Sequence, residues 1–141
     1  MLDTEIAYLA GFFDGEGFII ICRDKTRLGN LSYRLRIGSS QVDRGPIDLL
    51  KERFGGLIQV GHKNKVNSKH RDIFTWQQHS QKAVIALQQM LPYLIVKKEQ
   101  ALFAISWASF NKGYQGRKKT AEDIIWLEQQ KDILSAMKGY L

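Results

Sequence analysis

The chain has 141 residues, one domain's length, and 44% of them are hydrophobic, enough to build a core. Lysine and arginine number 21 against 14 acids, and the net charge of +7 favours a polyanionic partner, nucleic acid first. One cysteine, Cys22, excludes a disulfide framework or a cysteine-rich zinc site, no apolar run approaches the ~18 residues that span a membrane, and the acidic start Met-Leu-Asp predicts no signal or transit peptide.

The first segment reads as a helix, with Leu2, Ile6, Leu9 and Phe13 on one stripe at 3.6 periodicity. A second face carries Ala7, Ala10 and Gly11, with Asp14 one turn further on. Small side chains there let another helix backbone approach closely. Asp14, Gly15, Glu16 and Gly17 then end the helix. Acids sit unfavourably at the negative end of a helix dipole. A divalent cation reverses that sign, because it takes carboxylate and backbone carbonyl oxygens as ligands. Ordinary glycine capping and an Asp-Gly turn account for the same four residues without a metal.

Residues 18–23 and 31–39 read as two strands joined by a polar turn over 25–30, a hairpin. In the second strand Tyr33, Leu35 and Ile37 share one face, and Ser32, Arg34, Arg36 and Gly38 share the other. Pro46 opens a helix with Ile47, Leu49, Leu50 and Phe54 on its apolar side, stopped by Gly55 and Gly56. The unit then repeats: strands over 57–61 and 73–78, and a helix over 80–91 with Ala83, Val84, Leu87 and Leu91 inward. Two further helices follow, over 95–110 and from an N-cap at Thr120 to about residue 138. A glycine-rich basic segment separates them.

The order predicts a single α+β domain over residues 1–141, with helices on one face of an antiparallel sheet. The other sheet face is left open, and a β-ribbon can enter the major groove of DNA. On that surface the candidates are Ser32, Arg34 and Arg36, with Arg23 and Lys25 near the first hairpin tip and Gln59, Lys63, Arg71, Thr75 and Gln77 from the second hairpin. Plain solvated polarity explains the same residues on any sheet with one wet face. Arg117, Lys118 and Lys119 suit phosphate contacts, which position a protein without reading sequence. His62, His70 and His79 lack the spacing of a zinc site, and Trp76, Trp107 and Trp126 read as core.

Residues 9–17, Leu-Ala-Gly-Phe-Phe-Asp-Gly-Glu-Gly, resemble the motif of the LAGLIDADG homing endonucleases and their maturase relatives. Only Phe12, Phe13, Gly15 and Glu16 depart from the name string, each a familiar variation in that family. The resemblance implies an αββαββα fold with a DNA-binding antiparallel sheet, extended here by C-terminal helices. It also implies a single-motif homodimer that makes a double-strand break in a long, near-palindromic DNA target, leaving short 3′ overhangs. Its cofactor is Mg²⁺ or a similar ion such as Mn²⁺. Glu16, the last acid of the motif, is then the metal ligand and catalytic carboxylate, with the Gly15 carbonyl as companion. A second Glu16 comes from the two-fold partner through a helix contact at Ala7, Ala10, Gly11 and Asp14. Gln41 matches a polar residue that orders water near the scissile phosphate. Lys97 matches a basic active-site residue, and Lys98 is its rival by a one-residue slip. The usual setting is a mobile intron, which places the protein in a mitochondrion or chloroplast, or in a bacterial or archaeal cytoplasm. The competing class is a maturase that binds intron RNA to assist splicing without cleavage. A third reading is an unrelated basic α+β regulator.

Overall fold

The computed structural model describes residues 3–27, 29–61, 72–111 and 119–137. Within them the chain runs α1 (Thr4–Glu16), β1 (Gly17–Lys25), β2 (Leu31–Gln41), α2 (Arg44–Phe54), β3 (Leu57–Gly61), β4 (Ile73–His79) and α3 (Ser80–Met90). A 3-10 turn (Leu91–Tyr93), α4 (Lys98–Asn111) and α5 (Ala121–Ala136) complete it. This is the expected αββαββα order with C-terminal helices.

The four strands form one antiparallel sheet in the order β1-β2-β4-β3, so the two hairpins meet along β2 and β4. Alternation along β2 decides the layers: Tyr33, Leu35 and Ile37 are buried under the helices, while Arg34 and Arg36 between them are half-exposed. On β1, where residues 18–21 are apolar throughout, pairing resolves the ambiguity. Ile19 and Ile21 lie opposite Ile37 and Leu35 and are buried, so Phe18 and Ile20 fall on the open face. Leu9, Phe13, Ile47, Leu50, Trp76, Leu87 and Met90 fill the same core from the other elements.

Local hydrogen bonds set the helix ends, at Thr120 where the sequence puts the cap and at α2 two residues earlier than Pro46 suggests. The Asp43 side chain accepts from the Gly45 N–H, so α2 starts at Arg44, ahead of Pro46. A reciprocal capping box between Thr120 and Asp123 starts α5. Gly55 and Gly56 carry positive φ between α2 and β3, and a Cβ at Gly56 would collide with the Gln77 carbonyl. The freed carbonyls of Phe54 and Gly55 accept from Gln78 Nε2 and Trp76 Nε1, at 2.9 and 2.7 Å. Among the described residues no helix is long and apolar enough to cross a membrane.

Candidate functional site

The motif segment is held by a carboxylate that reaches across 81 to 83 residues of sequence. Asp14, in the last turn of α1, accepts the backbone N–H of Ile95 and Val96 on Oδ2 (3.1 and 2.9 Å) and of Lys97 on Oδ1 (2.8 Å). Those three donors immediately precede the first helical residue of α4, so one side chain fixes the segment that leads into that helix. It also shortens α4 at its start, which is Lys98 where the sequence pattern predicts residue 95. Burial raises the Asp14 pKa, but the three N–H donors and the Lys97 charge outweigh it and hold the group below 3.8. Because the folded value is the lower one, this stabilisation is complete above 3.8 and disappears as pH falls through the folded pKa. We therefore expect Asp14→Asn to lose about 1–3 kcal/mol in urea unfolding at pH 7, with the gap closing only as pH falls below 3.8 through the lowered folded value.

The same contact delivers Lys97. Its ammonium donates to the Asp14 carbonyl at 2.7 Å, an oxygen at the negative end of α1. Lys98 is exposed and belongs to the first turn of α4. Glu16 ends α1 with an exposed side chain that has no hydrogen bond or ion pair among the described residues, while its carbonyl accepts from Ser39 Oγ at 3.2 Å. Gly15 is exposed beside it. Gly17 pairs with Ser39 in antiparallel register, so Gln41, two residues further along β2, runs back alongside the end of the motif helix. There its Oε1 accepts from the Val42 N–H at 2.8 Å. The structure thus gathers Gly15, Glu16, Gln41 and Lys97 at one end of α1. Among the described residues no group of three or more His, Cys, Asp or Glu is assembled. Of the two carboxylates at this end of α1, Asp14 is taken up by the backbone of residues 95–97, which leaves that of Glu16.

The outward face of α1 differs from the small-residue face the sequence suggests. Ala10 is fully buried against its own chain and has no surface left for a partner, which corrects its assignment to an interface. Asp14 is turned to α4 in the same way. Ala7 remains half-exposed, and Gly11 and Gly15 are open: a Cβ at either would meet nothing within 4 Å. Tyr8, 52% exposed, shares this face at helical spacing, and Ile95 and Val96, 83% and 72% exposed, adjoin it through the Asp14 contact. These three apolar residues escape sequence reasoning, because nothing local marks Ile95 and Val96 as neighbours of α1.

On the open sheet face the register sets Ser32 opposite Asp24, Arg34 opposite Cys22 and Arg36 opposite Ile20 on one side and His79 on the other. Thr75, Gln77 and Gln59 continue the surface across β4 and β3. Thr75 shares a hydrogen bond with Ser40, and Gln77 donates to Gln59. Arg34 pairs with Asp24 at 2.8 Å. Burial lowers the His79 pKa, and the positive charges of Arg34 and Arg36 lower it further, marking a cationic surface. Arg23 departs from this group. It alternates with Ile19 and Ile21 on the helix side and gives its guanidinium to Glu128 of α5 at 2.7 Å. Lys25, exposed at the hairpin tip, alternates with it, and Lys119 just precedes α5. Lys63, Arg71, Arg117 and Lys118 lie outside the described residues.

No protein-family model matches the chain, and no curated protein matches it in sequence. Solved structures do match. The homing endonuclease I-CvuI in complex with its target in the presence of Ca aligns over 98% of this chain and 84% of its own, with TM-score 0.75 and 16% identity. The archaeal intron-encoded homing endonuclease I-Vdi141I complexed with DNA aligns over 98% and 87%, with TM-score 0.69 and 20% identity. The LAGLIDADG meganuclease I-AabMI bound to uncleaved DNA aligns over 89% of this chain but 44% of its own, with TM-score 0.64 and 17% identity. These alignments run over nearly the whole chain, which therefore has the fold of the LAGLIDADG homing endonucleases.

Proposed function

We propose that this protein is a homing endonuclease that acts as a homodimer and makes a metal-dependent, site-specific double-strand break in a long, near-palindromic DNA target. The observation that carries the reading is the end of α1. Glu16, exposed and without a hydrogen bond or ion pair among the described residues, ends that helix. The Lys97 ammonium meets the Asp14 carbonyl two residues earlier, and an open glycine face and the outward arginines of β2 adjoin. One carboxylate is too few for a site that must neutralise both the attacking and the leaving oxygen of a phosphodiester. Two α1 helices packed through Gly11 and Gly15 would bring two Glu16 side chains together across a two-fold axis. The alignment with I-AabMI has the proportion expected if two copies occupy the space of one longer chain.

The donor set suits a hard divalent cation: carboxylate oxygen from Glu16 and backbone carbonyl oxygen from Gly15, at the negative end of a helix. Mg²⁺ or Mn²⁺ held there would polarise the phosphate and lower the pKa of a bound water. The protein's own groups supply the rest. Lys97, tethered to the Asp14 carbonyl, holds a positive charge against the charge that develops on phosphate oxygens. Gln41, released from Val42, offers an amide that can order the attacking water. Arg34 and Arg36 face outward from β2, where guanidinium groups can engage guanine edges.

Cleavage of a randomised DNA library, followed by sequencing of the cut ends, tests the proposal. The expected result is enrichment of one near-palindromic site with Mg²⁺ and none with EDTA. A folded dimer that enriches nothing and binds intron RNA more tightly than DNA would instead be a maturase.

A further inference from the structure

Far from the motif, α5 packs along the edge strand β1, anchored by the buried Leu127 and Leu134. Between these anchors the Glu128 carboxylate accepts from Tyr33 Oη at 2.6 Å and from the Arg23 guanidinium at 2.7 Å. This clamp fixes the rotation of α5. Lys131 and Ser135, three and seven residues further along, lie on the same helical face as Glu128. Together with Cys22, Asp24, Arg34 and Arg36 they line an open cleft of about 360 Å³ beside the sheet.

The cleft is cationic. Asp24 answers Arg34, but Arg36 lies over the Phe18 ring with its Nε buried and without a hydrogen-bond partner, and Lys131 adds a further positive charge from the helix wall. A major groove is about 12 Å wide, and four strands spaced about 4.8 Å apart span it fully, so the edge strand β1 lies toward the sugar-phosphate wall and the central strands over the base edges. A cation rising beside β1 therefore meets phosphate and not base. We propose that α5 forms one wall of the DNA groove and that Lys131, registered by the Glu128 clamp, contacts a backbone phosphate in the outer part of each half-site. This rests on the DNA-binding reading above. Cys22 to Asp24 lie five to seven residues beyond Gly17, roughly 16–23 Å along the strand. At about 3.4 Å per nucleotide along one strand, the phosphate falls roughly five to seven nucleotides from the cut.

The test is phosphate-ethylation interference and salt-dependent binding of the selected target, in Ca²⁺ to suppress cleavage. Wild type is compared with Lys131→Ala, with Tyr33→Phe, and with Lys82→Ala as an exposed-lysine control on α3. Lys131→Ala is expected to lose interference at one phosphate per half-site. Across the dimer it should lower the slope of log K against log salt by about 1.8, the value for two phosphates. Tyr33→Phe removes one bond of the clamp without freeing Arg23, and should weaken the same interference signal alone. Lys82→Ala should change neither. If wild type binds and Lys131→Ala leaves both the slope and that phosphate unchanged, α5 is not a wall of the groove. If wild type binds no DNA, the DNA reading itself falls.

Discussion

In Glu16→Gln, single-turnover cleavage of the selected target should fall by about 10²–10³-fold, the scale on which removal of one preorganised electrostatic group is felt. Binding of the same DNA in a gel-shift assay should persist. The two outcomes separate because the carboxylate is exposed and unpaired among the described residues, at the end of α1. Glutamine keeps its size and one acceptor oxygen but removes the negative charge that a hard cation needs. Folding should not suffer. An anion at the negative end of a helix is unfavourable by about 0.3–1 kcal/mol, so thermal stability should hold or rise slightly. A variant that lost binding together with cleavage would assign Glu16 to DNA contact or to the fold, and the chemistry would have to be sought at Lys97 and Gln41.

What sequence could and could not reveal follows from how local each signal is. Alternation in β2 is local, and it put Arg34 and Arg36 on the correct face without any partner strand in view. Residues 18–21 offer no alternation, so their faces became readable only through pairing with Ile37 and Leu35. Asp14 looks like a turn residue because its real partners lie beyond residue 94. That distant bond also distinguishes Lys97 from Lys98: one is tied to the end of α1, the other begins a helix. Arg23 lies on the helix side because it alternates with Ile19 and Ile21, whose face only the pairing with β2 reveals, and its partner Glu128 is 105 residues away. Ala10 shows a subtler gap. A small residue announces close packing but not with whom, and here the neighbour is its own chain.

Gly11 separates those two meanings of smallness. It faces outward, nothing lies within 4 Å of where its Cβ would be, and its backbone is helical without a positive φ. The isolated chain therefore has no structural need for glycine at this position. Glycine within a helix is in fact unfavourable, so in urea unfolding at concentrations dilute enough that both proteins are monomeric, Gly11→Leu should be the more stable by about 0.5–1 kcal/mol. If two α1 helices meet at this face, the added side chain holds their backbones apart and removes the close approach that brings one Glu16 to the other. Sedimentation should then report a monomer at concentrations where wild type is a dimer, and double-strand cleavage should disappear. Stability and activity would move in opposite directions from one substitution, which a general folding defect cannot produce. A Gly11→Leu protein that remained dimeric and cut both strands would move the two-fold axis elsewhere on the molecule and leave the exposed glycine face of α1 without a function.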